Sequence, residues 1–135
     1  MRGWVDAFKR KSVDTGNILV THKDLDIWKM GLDIVERIYQ ITGKFPKDEQ
    51  FGLTSQMRRA AVSIPSNIAE GAARNSMREF LQYLYVSLGS LSEVETQLLI
   101  AERLGYLKDL DILEHVEHLR RKLLNFIKYT KGKAQ

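Results

Sequence analysis

The chain has 135 residues and a formal net charge of +4, and it contains no cysteine. The missing thiols exclude disulfides, thiolate metal sites and cysteine nucleophiles, and the length fits one domain that can bury a core without covalent staples. No apolar run reaches the ~20 residues that a membrane span requires, and the first residues lack the apolar stretch of a secretion signal, so we expect a cytoplasmic protein without a membrane partner.

The N-terminal part of the chain divides into an extension and a first helix. Residues 1–21 show no sustained periodicity and are interrupted by glycine, so we interpret them as a flexible or loosely docked extension. Apolar residues then recur at helical spacing. Asp24 or Asp26 can cap this helix 1, and Gly43 is placed as its C-terminal stop.

Helix 2 is predicted from about Glu49 to Ala73. Small residues fill its middle, so a neighbouring helix can approach closely. Pro65 lies in its interior, where it has no N–H for the carbonyl of Ala61, and we predict a kink there. The alternative is two helices that meet at residues 63–66, but the apolar register continues across the proline, which favours one kinked helix.

Helix 3 is the most apolar segment of the chain, and residues 80–92 carry no charged side chain. Ser76 and Glu79 form a capping box that starts the helix at Met77, and Gly105 ends it. On a helical wheel the apolar arc covers roughly 200°, about twice what a surface helix needs. The excess predicts that copies of the chain associate. The candidate oligomer interface consists of Leu81, Tyr85, Leu88 and Leu99.

Helix 4 completes the predicted domain. Asp109 can cap it, it runs to about Tyr129, and residues 131–135 form a frayed tail. Strand-like alternation is absent from the sequence. Four helices joined by short turns predict an all-α, up-down-up-down four-helix bundle over residues 22–130, with a proline-kinked second helix.

Two groups of basic residues are candidate nucleic-acid-binding surfaces, because guanidinium and ammonium groups bind phosphate oxygens. One group lies on helix 2 and the start of helix 3, and the other lies on helix 4, which has no acidic residue after Glu117. The alternative is that Glu70 pairs with Arg74, that helix 2 arginines pair with a neighbouring helix, and that the C-terminal cations stabilise the helix dipole. The candidate residues are Arg58, Arg59, Arg74, Arg78, Arg120, Arg121, Lys122 and Lys128.

Two carboxylates, Glu95 and Glu102, fall near the centre of the apolar arc of helix 3, where an unpaired charge is costly. We predict that at least Glu95 meets an arginine, with Arg58 or Arg59 as the first choice.

Catalytic and metal-binding patterns are weak. His115 and His118 could share a metal with neighbouring acids, but a solvated helix face is the favoured interpretation because the chain supplies no further matching ligands. The sequence contains no Gly-rich phosphate loop and no serine with a nearby histidine. We therefore predict no catalytic residue, no metal and no cofactor.

The segment RRAAVSIPSNIAEG, residues 58–71, is long and unusual. Together with the flanking segments it resembles the bacterial family encoded in intervening sequences of 23S rRNA genes, over about residues 22–125. A more distant similarity is to the accessory proteins of diversity-generating retroelements. The resemblance implies a cytoplasmic four-helix bundle that forms a ring-like homo-oligomer, commonly a pentamer, with nucleic-acid binding and without an assigned catalytic activity.

We therefore expect a non-enzymatic homo-oligomer that binds RNA or DNA through its basic surfaces. The alternative is a scaffold or accessory subunit that binds another protein and has no direct role with nucleic acid.

Overall fold

The computed structural model describes residues 22 and 25–134. Within these residues the chain forms four α-helices, with a short 3₁₀ turn at Lys47–Glu49 between the first two, and no strand. The predicted extension, residues 1–21, lies outside this part of the chain. The helices are α1 (Asp26–Thr42), α2 (Leu53–Ala72), α3 (Met77–Arg103) and α4 (Asp111–Ala134).

Each helix packs against two others, and the backbones of diagonally opposite described helices do not approach each other closely. The helix α1 packs on α2 and α4, and α3 packs on the same two helices. Neighbouring helices run antiparallel, as α3 and α4 show. Phe80, near the start of α3, contacts Phe126, near the end of α4, and Glu95, further along α3, contacts Arg120, earlier in α4. The predicted all-α, up-down-up-down bundle is therefore confirmed.

The core is built from one apolar stripe of each helix, as the helical spacing predicts. In α3, the side chains of Phe80, Leu84, Leu91, Val94 and Leu98 are buried, whereas Leu88 is only partly buried. No described helix combines the length and apolar character that crossing a membrane demands.

Both ends of α3 are set by local signals. The Ser76 hydroxyl accepts the backbone N–H of Glu79 at 3.2 Å, which confirms the predicted cap. At the other end, Gly105 has a φ of 81°, and the N–H of Tyr106 reaches back to the carbonyl of Ala101 at 2.9 Å. A side chain at this φ would be strained, so glycine permits this termination.

Helix α1 begins differently from the prediction. Its N-cap is Leu25, without a capping side chain, and Asp26 is already the first helical residue. The carboxylate of Asp26 therefore lies in the first turn, where it favours the helix dipole but does not cap. Asp24 lies outside the described residues.

Helix α2 begins later than predicted. Glu49 belongs to the 3₁₀ turn, and its Oε1 accepts the N–H of Leu53 at 3.1 Å. The Tyr106 hydroxyl donates to the other carboxylate oxygen of Glu49 at 3.0 Å, which raises the pKa of Tyr106. One glutamate thus supports the start of α2 and ties the two loops at this end of the bundle together.

Helix α4 extends further than predicted, past Tyr129 to Ala134. Thr130 is fully buried, and its hydroxyl donates to the carbonyl of Phe126 at 2.8 Å. Burial and this hydrogen bond support the helix beyond the point where its apolar pattern ends.

Helix α2 runs unbroken through Pro65, so the alternative of two separate helices is wrong. Side chains donate hydrogen bonds to backbone carbonyls near the proline. The side-chain amide of Asn67 donates to the carbonyl of Ser63 at 2.8 Å, and the hydroxyl of Ser87, in α3, donates to the carbonyl of Ile64 at 2.8 Å. The kink itself stays a prediction.

Helices α2 and α3 approach closely because small residues line their contact. A Cβ added at Gly71 would lie 2.6 Å from the Cβ of Tyr83 and 2.8 Å from Cδ1 of Phe80. Neither a backbone-attached Cβ nor a buried ring can move aside cheaply.

We predict that Gly71→Ala lowers the free energy of unfolding by about 1 to 3 kcal/mol, because the added methyl overpacks this contact. The matched control is Gly89→Ala in α3, where an added Cβ meets nothing within 4 Å. There alanine should raise stability by about 0.5 to 1 kcal/mol through better helix propensity. Urea unfolding at equal protein concentration measures both, and equal effects of the two substitutions would contradict the packing argument.

Candidate nucleic-acid interface

Arg58 is held in place by two uncharged partners on α1. Its Nε donates to Oγ1 of Thr42 at 2.9 Å, and its guanidinium lies 4.4 Å from the centre of the Tyr39 ring. Thr42 is buried and donates its own hydroxyl to the carbonyl of Ile38 at 2.7 Å. Thr42 and Tyr39 therefore fix the orientation of the guanidinium. No carboxylate of the described residues forms an ion pair with it.

Arg59, the next residue, is exposed and makes no ion pair within the described part of the chain. Both arginines border an open cleft of about 560 Å³ between α1, the loop before α2 and α2 itself. Phe51, in that loop, is 90% exposed. We call this surface the basic cleft and define it by Tyr39, Phe51, Arg58 and Arg59.

Sequence reasoning found the two arginines and considered Tyr39 as a ring that could stack on a base, although it favoured a packing role; it missed Phe51. Phe51 lies in a loop, outside the helical periodicity by which apolar residues were assigned. The predicted helix 2 began at Glu49 and so included Phe51, and the only sequence signal for a loop there was Gly52, which is too common a signal to identify a site.

Arg74, just beyond the end of α2, is neutralised by its neighbours. Its Nη2 lies 3.3 Å from Oε2 of Glu70 and also donates to the hydroxyl of Tyr83, whose ring centre is 5.0 Å from the guanidinium. The predicted pairing of Glu70 with Arg74 is confirmed. Arg78 is exposed in the first turn of α3 and does not belong to the basic cleft.

Arg120 of α4 meets Glu95, so the prediction that Glu95 pairs with an arginine is confirmed, but the expected partner was wrong. Nη2 of Arg120 lies 2.7 Å from Oε1 of Glu95, Nε lies 3.2 Å from Oε2 of Glu117, and Nη1 donates to Oγ of Ser92 at 3.1 Å. Glu95 is on the side of α3 that faces α4, whereas α2, which carries Arg58 and Arg59, packs on another side. Two carboxylates already compensate the charge of Arg120.

Glu102 is exposed and does not lie in the buried stripe of α3. Leu104, two residues later, is also 54% exposed.

The C-terminal half of α4 carries a second set of cations. Lys131 lies 5.9 Å from the centre of the Tyr85 ring, and Lys133 lies 5.4 Å from that of Tyr129. No carboxylate of the described residues pairs with this set. Its exposed members are Arg121, Lys122, Lys128, Lys131 and Lys133.

The predicted oligomer residues divide into two pairs. Tyr85 and Leu99 are 45% and 42% exposed, whereas Leu81 and Leu88 are partly buried against the core. Leu124 of α4, also 45% exposed, was not predicted. These side chains leave an apolar surface open on the bundle.

The two histidines of α4 do not assemble a metal site. Among the residues that the structure describes, no group of three or more His, Asp or Glu side chains converges. Nε2 of His115 instead lies 3.4 Å from Oδ2 of Asp111, one helical turn earlier.

Comparison with known proteins agrees with the four-helix fold. The family model described as 23S rRNA-intervening sequence protein matches residues 23–127. A solved structure from the S23 ribosomal protein family of Bacteroides thetaiotaomicron VPI-5482, a protein with unknown function, has a TM-score of 0.70 at 23% identity, covering 76% of this chain and 95% of that one. At this identity the likeness shows the fold. No curated protein sequence matches the chain significantly.

We predict that Arg120→Gln lowers the free energy of unfolding by about 1 to 2 kcal/mol, because it removes charge-assisted bonds to two half-exposed carboxylates. Arg121→Gln, which changes an exposed neighbour, should alter it by less than about 0.5 kcal/mol. Urea unfolding compares the two. A loss for Arg120→Gln no larger than that for Arg121→Gln would mean that the Glu95 pair contributes nothing to stability.

Proposed function

Because the chain belongs to the family of 23S rRNA-intervening sequence proteins, we propose that it is a homo-oligomeric protein that binds RNA or DNA through the basic cleft and the C-terminal half of α4. The proposal assigns no catalytic activity and places the protein in the cytoplasm, as the sequence resemblance implies.

One observation carries the proposal: the orientation of Arg58 by uncharged groups. Arg74 and Arg120 each have carboxylate partners, whereas Arg58 is positioned by a threonine hydroxyl and a tyrosine ring. Its charge is therefore available to a phosphate, and little side-chain freedom remains to be lost on binding. Arg59 adds a second available cation at the same cleft.

The cations of α4 support the proposal as a second surface. Lysines in a last helical turn also stabilise the helix through its dipole, by about 0.3 to 1 kcal/mol each, so their position alone has a structural explanation. Their number and their lack of carboxylate partners produce a positive potential beyond that role.

Assembly is supported by the apolar surface that the bundle leaves uncovered. Fully burying a large apolar side chain contributes roughly 1.5 to 3 kcal/mol, and Tyr85 and Leu99 are each covered only in part. Contact between copies would complete their burial. We propose a ring of five subunits, the number that the sequence resemblance implies, in which repeated basic surfaces bind one nucleic acid with higher avidity.

The scaffold alternative is favoured by the same apolar surface, which another protein could also cover. The two functions differ in their response to salt, because counterion release accompanies phosphate binding but not apolar contact.

We predict that the protein binds single-stranded RNA and that affinity falls about tenfold or more between roughly 50 and 200 mM salt. Arg59→Gln should weaken binding and reduce the slope of log affinity against log salt by about 0.7 for each phosphate that the variant no longer neutralises. The matched control is Arg103→Gln, since Arg103 is exposed in the last turn of α3 and belongs to neither basic surface. Fluorescence anisotropy with a labelled strand measures all three proteins.

Absence of binding to RNA and DNA at low salt would contradict the proposal and favour the scaffold. Equal effects of Arg59→Gln and Arg103→Gln would mean that the cleft is not the binding surface.

We predict that the double variant Tyr85→Glu, Leu99→Glu forms smaller assemblies than the wild type, because two charges would have to be desolvated at the interface. Both positions are half exposed, so the bundle should still fold. Val86→Glu is the control, since Val86 is 50% exposed on another side of α3. Light scattering gives the masses. An unchanged mass of the double variant, or a wild-type mass of one subunit, would contradict this assignment.

A further inference from the structure

We propose that the basic cleft holds an unpaired base of a single-stranded nucleic acid, which stacks on the Phe51 ring while the adjoining phosphates contact Arg58 and Arg59. This inference rests on the proposed function and names the form of nucleic acid that the cleft accepts.

Phe51 is the most exposed large apolar residue in the described part of the chain. With 90% of its surface exposed, it contributes almost nothing to the core, and the next most exposed large apolar residue in the described part, Leu104, stands at 54%. A single exposed apolar residue is ordinary by itself. The ring of Phe51 differs because it borders the same cleft as two arginines and a second aromatic ring.

The charge of the cleft is uncompensated. Its lining contains no acidic side chain, and neither Arg58 nor Arg59 forms an ion pair within the described residues. A phosphodiester would supply the missing negative charge, and guanidinium groups can bind it with two hydrogen bonds.

The exposed ring of Phe51 favours a single strand over a duplex. An aromatic side chain can stack only on a base whose face is free, and the bases of a duplex are covered by their neighbours. A cleft that combines a free ring with cations is typical of single-strand binding, which joins stacking to a positively charged groove.

A second copy of the chain fits this cleft less well. The cores of protein interfaces are depleted in charge, and an apolar partner would leave two guanidiniums buried without a counter-charge. The cleft thus favours an anionic ligand.

The experiment compares Phe51→Leu with Phe51→Tyr, because leucine removes the ring and keeps an apolar side chain, whereas tyrosine keeps the ring. The probes are a fluorescein-labelled oligouridine of about 12 nucleotides and an RNA duplex of about 12 base pairs, at low salt. Phe51→Leu should weaken oligouridine binding by about 5- to 150-fold and leave duplex binding within about twofold. Phe51→Tyr should bind oligouridine as the wild type does.

Each other outcome overturns the inference. If the wild type binds oligouridine and Phe51→Leu binds it equally well, the stacking site is wrong while the proposed function stands. Equal weakening of strand and duplex would show that the ring supports the fold or the cations rather than a base. A change of mass in Phe51→Leu by light scattering would place Phe51 in a subunit interface. If the wild type binds neither RNA, the proposed function fails as well.

Discussion

The close packing of α2 against α3 is the constraint on which the other features depend. Gly71 lies against Phe80 and Tyr83, and the hydroxyls of Ser63 and Ser90 lie 2.8 Å apart across the seam. Because small residues and short hydrogen bonds set this distance, each helix has one face committed to the other. The remaining faces of α2 and α3 are thereby turned toward different neighbours, and this division separates the basic cleft from the apolar surface.

On α2, the face turned toward α1 carries Arg58. Threonine and tyrosine of α1 receive it, so the bundle fixes the guanidinium without neutralising it. On the opposite side of the molecule, Arg120 forms ion pairs with Glu95 and Glu117 and stabilises the contact between α3 and α4. Arginines that looked equivalent in the sequence thus have different roles, because an arginine whose charge is already compensated by a carboxylate attracts a phosphate less strongly.

On α3, the apolar arc is wider than its two neighbours can cover. Phe80, Leu84 and Leu98 fill the core, whereas Tyr85 and Leu99 remain half exposed. The uncovered part is the physical basis of the proposed assembly. In a ring, the contact between copies would use the apolar surface of α3, whereas the basic cleft lies between α1 and α2, so a nucleic acid in the cleft would not have to displace a neighbouring copy.

The sequence by itself determined the four helices, most of their ends and the core stripe, because helical periodicity, the Ser76 cap and the Gly105 stop act through neighbours in the chain. It also identified the family. Only the tertiary structure decided that Glu95 meets Arg120 instead of Arg58, and that Phe51 joins two arginines at one cleft. These contacts join residues far apart in the chain, and their partners depend on which faces the packed helices turn toward each other. Helical periodicity predicts which face of a helix is buried, but it does not predict which other helix packs against that face.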